Sequence, residues 1–471
     1  MRIILADSHG EVMGKEQTSP NLSLLYLASY LRGKANFKID FKYIPQSKSL
    51  TYHFNLINRF RPDIYAVSFT SFTALTTYKT IQKIKQLFPN VLVICGGPHV
   101  TYTPEEVLKI SGADICVIGE GEESFFEIIL NYKNKTDFLD NINGIAYLKN
   151  GSVEKTPSRK IISDINAIPF PARDLVNNKD YCGLTYSKAR PNTEMVVVRG
   201  CPQRCVFCAN PVFRLKNEVL FRARSPENIV EEVKQLYQIG YREIYLHSDE
   251  LNVHLKWAVE VCKAISQLNL KDLYFQTNLR VEPISEEFVY WLKKANFWMV
   301  RVGIESTSNR VLKGIKKNTD FAAIEKACKL LRKQNIKVFG FMMLFNFWEQ
   351  ENSLQNETTE EVKKSISDIY KLWRKGLIQY SSWAYACPVQ GSEFYEIAKK
   401  YHLINDYFYP SDTWNSYDFL QGVSVKEFKK LYASARMQQA IMALFSGNYE
   451  WRNYKGITRK IIHLIKNFFR I

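Results

Sequence analysis

The sequence predicts an α/β protein with two large domains and a short helical segment at its carboxyl end. Over residues 1–130, short apolar runs alternate with helical patterns, which is typical of a parallel sheet covered by helices on both faces. Residues 193–404 repeat this alternation, and the proline-containing stretch 168–174, which suits neither a helix nor a central strand, lies between the two series. At 471 residues, the chain also exceeds the size of one ordinary domain.

The first series predicts a domain over residues 1–140 with a ligand site at one edge of its sheet. Strands are expected at 2–6, 64–68, 91–95 and 115–118, and helices at 21–32 and 76–88. Ligands of open parallel sheets bind beyond the carboxyl ends of the strands. Three turns in that position carry hydroxyls or glycines, and glycine lets a backbone approach a ligand closely. The predicted ligand contacts in these turns are Thr70, Ser71, Gly96, Gly97, Pro98, His99, Gly119, Glu120, Gly121 and Glu122.

A connector over residues 141–190 precedes the second domain. It contains a predicted hairpin over 142–148 with a turn at Asn150 and Gly151. The second series, 191–404, predicts strands at 244–247, 273–277, 298–302 and 337–342. Barrels of parallel strands carry their sites at the carboxyl ends of the strands. Residues 405–471 are predicted to form the helical segment.

Three cysteines in one short loop are the most informative feature of the chain. Cys201, Cys205 and Cys208 follow the apolar run 195–198 with the spacing C-x3-C-x2-C. A cubane iron–sulfur cluster with four protein thiolates is closed, whereas three thiolates leave one iron open to another ligand. The alternative is a zinc site. Structural zinc, however, usually takes four ligands in two pairs, and the chain contains no second C-x2-C pair.

This cysteine motif and the strand-end residues that follow it resemble the radical S-adenosylmethionine (SAM) enzymes. The resemblance implies that the three cysteines bind a [4Fe–4S] cluster whose open iron binds SAM. It also implies SAM contacts at the strand ends, namely Phe207, Asp249, Glu250, Asn278, Arg280, Glu305 and Ser306. Residues 345–352 depart from the family, because they lack the glycines and the proline of the turn usually found there.

The turns of the first domain resemble, in their order, the cobalamin-binding domain that precedes many radical SAM cores. The chain is therefore expected to combine an N-terminal Rossmann-like cobalamin-binding domain, a partial (β/α)6 radical SAM barrel and a short helical C-terminal segment. The implied cofactors are a [4Fe–4S] cluster, SAM and cobalamin. His9 begins a pattern like a cobalt-binding motif, but position 12 is Val rather than Gly, so His9 is interpreted as a loop residue.

The resemblance implies an enzyme that methylates an unactivated carbon of a small-molecule or lipid substrate by means of a 5′-deoxyadenosyl radical. It identifies no catalytic residue beyond the cofactor contacts, and it implies a flavodoxin or ferredoxin as electron donor. Three alternatives stay open: a radical SAM cyclase or ring-modifying enzyme with the same cofactors, a tRNA methylthiotransferase, and a cobalamin- or SAM-binding sensor without turnover. The methylthiotransferase needs three further cysteines in the first domain, where only Cys95 and Cys116 occur.

The net charge of +17 fits either a lysine-rich surface or an acidic partner such as an anionic membrane. Residues 451–471 contain six Lys or Arg and no acid, with apolar residues at helical spacing. Such a basic amphipathic helix either contacts a membrane surface or docks on the barrel. Nucleic acid is not an expected partner. A signal peptide and an apolar run of about 18 residues are both missing, so a cytoplasmic location is expected, with 451–471 as the candidate contact with the inner membrane face.

Overall fold

The computed structural model describes residues 1–8, 19–134, 139–181, 183–184, 186–210, 221–405, 409 and 422–446. The strands of the amino-terminal part are β1 (Arg2–Asp7), β2 (Asp40–Ile44), β3 (Ile64–Ser68), β4 (Leu92–Gly96), β5 (Ile115–Val117), β6 (Ile145–Lys149) and β7 (Ser152–Lys155). Its helices are α1 (Leu22–Lys34), α2 (Leu50–Phe60), α3 (Ala74–Leu87), α4 (Pro98–Tyr102), α5 (Pro104–Ser111) and α6 (Glu122–Asn134).

The carboxyl-terminal part begins at β8. Its strands are β8 (Asn192–Val196), β9 (Val198–Arg199), β10 (Arg222–Ala223), β11 (Glu243–His247), β12 (Tyr274–Leu279), β13 (Phe297–Glu305), β14 (Lys337–Leu344), β15 (Phe347–Gln350), β16 (Ser353–Asn356) and β17 (Tyr380–Tyr385). Its helices are α7 (Pro226–Ile239), α8 (Leu255–Gln267), α9 (Glu286–Lys294), α10 (Asn309–Gly314), α11 (Phe321–Lys333), α12 (Thr359–Arg374), α13 (Glu393–Lys400) and α14 (Val425–Phe445).

The first domain is built on a seven-stranded sheet in the order β2-β1-β3-β4-β5-β6-β7. The first five strands are parallel, and the hairpin β6–β7 adds two antiparallel strands at the far edge. Apolar cores lie on both faces, so the predicted covered parallel sheet is present. The predicted hairpin belongs to this sheet, which therefore continues to Lys155, beyond the expected domain end at residue 140.

The second domain contains six parallel strands in the order β17-β14-β13-β12-β11-β8. Each strand pairs with the next one along the chain, as expected for a partial barrel. Helices pack on the outer face through a large apolar core. The side chains on the inner face of the strands line a lumen that opens at the carboxyl ends.

The segment 345–352, which departs from the family turn, contains the first strand and the turn of the hairpin β15–β16. Its Trp348 lies against Gly314, where a Cβ atom would come 2.2 Å from the indole ring. Phe347 stacks on Phe394 with ring centroids 4.3 Å apart. The hairpin thereby completes a small apolar cluster that also buries Val206 of the cysteine loop.

The helical segment at the carboxyl end is described as α14, which packs against β17 and α12. The basic residues 451–471 and His9 lie outside the described residues. None of the described helices is both long and apolar enough to cross a membrane.

Candidate functional site

A cavity of about 380 Å³ lies between the carboxyl edge of the first sheet and the mouth of the barrel. The first domain contributes the ends of β3, β4 and β5 and one face of α1. The second domain contributes the region of the cysteine loop and the ends of β8 and β11. Residues in its wall include Ser23, Leu24, Leu27, Ser68, Gly96, Gly97, Pro98, Gly119, Glu120, Gly121, Glu122, Val198, Arg199, Gly200, Asn210, Arg222, His247 and Asp249.

The turn after β4 exposes backbone to the cavity. Gly97 has φ +102°, and a Cβ atom there would come 2.6 Å from the carbonyl oxygen of Phe69. At Gly96, a Cβ atom would meet no protein atom within 4 Å. Because Gly96 also lines the cavity, its missing side chain leaves room for a ligand against the backbone.

Three of the predicted first-domain contacts do not line this cavity. Thr70 is exposed, whereas Ser71 and His99 are buried and bonded to each other, with 2.9 Å between Ser71 Oγ and His99 Nδ1. The other ring nitrogen, Nε2, lies 2.7 Å from the hydroxyl of Tyr78. Burial lowers the pKa of His99 to about 4. Both ring nitrogens of His99 thus have protein partners inside the domain, because the ring is directed into the domain and not toward the cavity.

Two arginines of the barrel domain hold the Gly119–Glu122 turn. Arg199 and Arg222 are paired neighbours on β9 and β10. Arg199 donates to Glu122 at 2.5 Å, and Arg222 donates to both carboxylate oxygens of Glu120 at 3.0 and 2.5 Å. Burial opposes ionisation of Glu122, but the charge and hydrogen bond of Arg199 outweigh it and lower the Glu122 pKa. Arg199 and Arg222 repel each other because like charges face each other on the two strands. Glu122 and Glu120 neutralise them and also join the two domains.

The cysteine loop is fixed by the core beneath it. Val206 is fully buried, its N–H donates to the carbonyl of Ile315 at 3.1 Å, and its carbonyl accepts from Phe394 N–H at 3.0 Å. Cys201 and Cys205 are 8% exposed and Cys208 is partly exposed. Burial raises the pKa of Cys201 to about 12, so a bound metal is needed to hold it as a thiolate at neutral pH.

In the part of the chain that the structure describes, no three His, Cys, Asp or Glu side chains converge enough to hold one metal ion. A cubane cluster makes a different demand, since each thiolate binds a separate iron. The donor set of three thiols on one loop fits such a cluster.

Two buried ion pairs flank the cysteine loop. Lys317 Nζ lies 3.2 Å from Glu305 Oε1, and Arg280 Nη1 lies 3.3 Å from Glu250 Oε1. Arg280 also donates to the carbonyl of Lys317, which ties the two pairs together. Burial opposes the charge on Lys317, but Glu305 outweighs it and raises the Lys317 pKa. Glu305 takes the left-handed φ of +65°, a costly conformation that recurs at ligand sites.

The remaining predicted SAM contacts are in different surroundings. Asp249 is exposed in the cavity wall, and Phe207 is partly buried beside Phe394. Asn278 lies inside the barrel and accepts from the hydroxyl of Tyr245 at 2.6 Å. Ser306 is fully buried and donates to Glu357 at 3.0 Å, so its hydroxyl serves the protein interior.

Two buried polar atoms without a partner among the described residues indicate how SAM and cobalamin would fit the site. Glu250 Oε2 is buried with no hydrogen-bond partner among the described residues, and Glu250 exerts its charge on Cys201. A carboxylate oxygen at that place suits the ammonium group of SAM. Arg222 Nε is likewise buried without a partner in the cavity wall, and it suits an amide oxygen at the rim of a corrin ring. The chain's own groups therefore fit SAM and cobalamin.

Several residues of the site were not predicted. His247 ends β11 directly before the predicted Asp249 motif, so the strand-end rule could have identified it. Arg199 and Arg222 are on two-residue strands, and Lys317 follows the short helix α10. No local sequence pattern marks those three positions, since tertiary pairing alone places them.

Two family models match the chain: the B12 binding domain over residues 15–129 and the Radical SAM superfamily over residues 195–355. The protein is therefore a radical SAM enzyme with an N-terminal B12-binding domain. The family resemblance and the α/β arrangement predicted from the sequence are confirmed. Its cofactors are a [4Fe–4S] cluster, SAM and cobalamin.

Named relatives include methyltransferases and a cyclase. An uncharacterized methyltransferase of Pyrococcus horikoshii is 29% identical over 431 residues, which cover 91% of this chain and 88% of the relative. The anaerobic magnesium-protoporphyrin IX monomethyl ester cyclase of Cereibacter sphaeroides is 24% identical over 100% of this chain and 75% of its own length. The structure of the radical SAM methyltransferase TsrM from Kitasatospora setae, with cobalamin and a [4Fe–4S] cluster bound, has a TM-score of 0.70 at 15% identity and covers 99% of each chain. That structural likeness establishes a common fold.

Proposed function

We propose that the protein methylates a carbon atom of a small molecule held in the cavity between its two domains. The observation that carries this proposal is the shared cavity, whose wall contains the glycine turns of the B12-binding domain, the end of the cysteine loop and Asp249. When bound, the cluster with SAM supplies one-electron chemistry at carbon, and cobalamin supplies methyl transfer.

Each wall has a distinct part in this proposal. The backbone at Gly96, Gly97 and Gly119 receives the cobalamin, and Arg222 donates to its rim. Cys201, Cys205 and Cys208 hold the cluster, and Glu250 accepts from the SAM ammonium. The pairs of Arg199 and Arg222 with Glu122 and Glu120 keep the two walls together and exclude water from the space between them.

The test starts from anaerobically reconstituted protein. We expect about four irons and one cobalt per chain. With a reductant and SAM, a methyltransferase forms both S-adenosylhomocysteine and 5′-deoxyadenosine, and Cys205→Ser is the control that forms no deoxyadenosine. Four irons without retained cobalt would contradict the proposal.

A cyclase is the second candidate, and the relative in Cereibacter sphaeroides favours it. The same assay separates the two reactions, because a cyclase consumes SAM without transferring its methyl group. Deoxyadenosine without S-adenosylhomocysteine would therefore support the cyclase.

The other two alternatives have less support. Cys95 and Cys116 are fully buried partners on β4 and β5, and both belong to the apolar core on one face of the sheet. This weighs against a methylthiotransferase. A sensor without turnover would form neither product from SAM, although it would bind the same cofactors.

The electron donor and the membrane contact are proposed from the sequence alone. A flavodoxin or ferredoxin would supply the electron, and residues 451–471 would contact an anionic membrane surface. Deletion of 451–471 should abolish binding to vesicles that contain phosphatidylserine. Unchanged binding would instead support a tail that docks on the barrel.

A further inference from the structure

The lumen of the barrel carries a polar cup, in which Asn278 alone is also a predicted SAM contact. Its wall is formed by the inward side chains of neighbouring strands, which alternate with outward residues of the apolar core. The members, all of them partly or fully exposed on strands of the barrel sheet, are Glu194, His247, Asn278, Arg301, Phe341 and Ser382. Solvent therefore reaches this cup from the barrel mouth.

Arg301 forms the cationic part of the cup. Its Nε and Nη2 atoms donate to Gln276 Oε1 at 3.3 and 3.1 Å. Its guanidinium carbon lies 4.7 Å from the ring centre of Tyr245 and 5.7 Å from that of Phe339. The guanidinium thus packs against two aromatic rings, and its Nη1 group makes no hydrogen bond to a described residue.

The floor beneath Arg301 is rigid. Gln276 is fully buried, and its Nε2 donates to the carbonyl of Tyr186 and to Glu243 Oε1, each at 2.6 Å. Glu243 also accepts from Trp298 Nε1 and from two backbone N–H groups. Since both donor positions of Gln276 are engaged, its oxygen must face Arg301. The guanidinium is therefore held in place before any ligand arrives.

This cation has no direct counter-charge. Among the described residues, no carboxylate forms an ion pair with Arg301. Glu194, which senses the charge of Arg301, instead lies 3.5 Å from His247 Nδ1. A partly exposed guanidinium without a counter-charge offers a charged donor to a ligand that brings an oxyanion.

His247 provides a second donor at the mouth of the cup. Its side chain is 52% exposed and belongs to the wall of the interdomain cavity. Burial alone would lower its pKa, but the hydrogen bond and charge of Glu194 outweigh burial and raise the His247 pKa. His247 therefore connects the cup with the cavity in which the proposed methyl transfer takes place.

We infer that the barrel lumen binds a substrate that carries an oxyanion, a carboxylate or a phosphoryl group, on Arg301. Gln276 and Tyr245 position the guanidinium, and His247 donates a second hydrogen bond nearer the cavity. The inference rests on the proposed function, since it takes the lumen to be the substrate site of that reaction. It narrows the substrate to small molecules with an anionic group beside an apolar body.

Binding of simple aromatic anions tests this inference. The reconstituted full-length protein is saturated with SAM, so that the groups near Lys317 are blocked, and is kept without reductant, so that nothing turns over. Calorimetric titration with benzoate and with phenylphosphonate is compared with the neutral benzamide. We expect the wild type to bind at least one anion about 10-fold or more tightly than benzamide, and the relative affinity of the two anions to separate carboxylate from phosphoryl recognition.

Variants connect the preference with Arg301. Arg301→Met should remove it and Arg301→Lys should retain part of it, whereas Arg374→Met at the exposed end of α12 should leave it unchanged. If Arg301→Met does not fold, Arg301→Gln takes its place. Equal binding of anions and benzamide by the wild type, or an unchanged preference in the uncharged variants, overturns the inference. Because no turnover is measured, failure of methyl transfer leaves this result unaffected and can be recognised separately.

Discussion

The two walls of the interdomain cavity differ in the kind of group that they present. The B12-binding domain presents mainly backbone, at the turns after β4 and β5, and its carboxylates Glu120 and Glu122 face the arginines of the barrel. The barrel presents polar and charged side chains such as His247 and Asp249, and beside the cysteine loop it holds the buried pair of Glu305 and Lys317. The difference follows from the ligands, because a large ligand rimmed by amides is matched by shape and backbone, whereas SAM carries charges that need charged partners.

The two sites are therefore vulnerable to different changes. A backbone surface tolerates the loss of single side chains but not an added atom where the chain is closely packed. A surface of charged and thiol groups responds in the opposite way, since each group has its own ligand.

The largest effect is expected at the cysteine loop. Cys205→Ser should reduce iron from about four per chain to almost none, because a hydroxyl does not replace the thiolate. Cobalamin binding should persist, since the other wall is intact. Iron and cobalt are measured after anaerobic reconstitution, with Cys387→Ser, a partly exposed cysteine outside the loop, as the control. Loss of both metals would show that the two walls do not bind independently.

An added methyl group at Gly97 should instead reduce the retained cobalt and leave the iron content unchanged. Gly97→Ala places a Cβ atom 2.6 Å from the carbonyl oxygen of Phe69 at a φ of +102°, so the turn must move. Retained cobalt should fall about 10-fold or more while iron stays near four. Gly112→Ala is the matched control, because it also has a positive φ, +74°, but meets no atom within 4 Å. Equal cobalt loss in both variants would make backbone strain, not the close contact, the cause.

The ion pairs that join the two walls should affect the free energy of unfolding more than the binding of either cofactor. Glu122→Gln leaves the buried Arg199 with only Glu120 as a counter-charge, 3.5 Å away and shared with Arg222. Breaking this buried pair should cost about 3 kcal/mol of unfolding free energy. Glu360→Gln removes an exposed ion pair with Lys363 and should cause no measurable change in a denaturant titration. If Glu122→Gln behaves like Glu360→Gln, the interdomain pairs do not stabilise the fold.

Part of this architecture was predictable from apolar runs. The third strand, Ile64–Ser68, was predicted to the residue, because a continuous apolar run ends in a turn. The edge strand Asp40–Ile44 was missed, since charged residues interrupt its apolar side chains. Edge strands need less burial, so their sequences give a weaker signal.

The direction in which a turn residue points was not predictable in the same way. His99 and Gly97 belong to the same turn, yet Gly97 lines the cavity while His99 is bonded to Ser71 inside the domain. Similarly, Glu305 flanks the cysteine loop while the adjacent Ser306 is directed toward Glu357. Adjacent residues at strand ends face opposite sides, and a register shift beside Glu305 makes the side depend on tertiary pairing.

The smallest effect is expected at Glu357, which lies in the barrel wall against Ser306, the residue that follows Glu305. This carboxyl is 1% exposed and accepts hydrogen bonds from Asn346 and Ser306. Burial raises its pKa from 4.5 to about 7, and the hydrogen bonds only partly oppose that rise. Between pH 4.5 and 7 the folded protein therefore keeps on Glu357 a proton that the unfolded chain has released, so the contribution of Glu357 to stability falls as pH rises.

The full loss across this window should be about 3 kcal/mol of unfolding free energy. Denaturant titrations at pH 5 and pH 7 measure most of it as the difference in slope between the wild type and Glu357→Gln. Buried His99, with its pKa lowered to about 4, contributes a slope of opposite sign in both proteins. Glu361→Gln is the matched control one turn further along, because Arg310 outweighs burial and lowers the Glu361 pKa to about 2. That carboxylate loses its contribution only as pH falls below 4.5, so its variant should keep the wild-type slope between pH 5 and 7. If the unfolding free energy changed equally with pH in the wild type and in Glu357→Gln, Glu357 would be ionised in the folded barrel. The interior of the barrel wall would then stabilise a buried carboxylate.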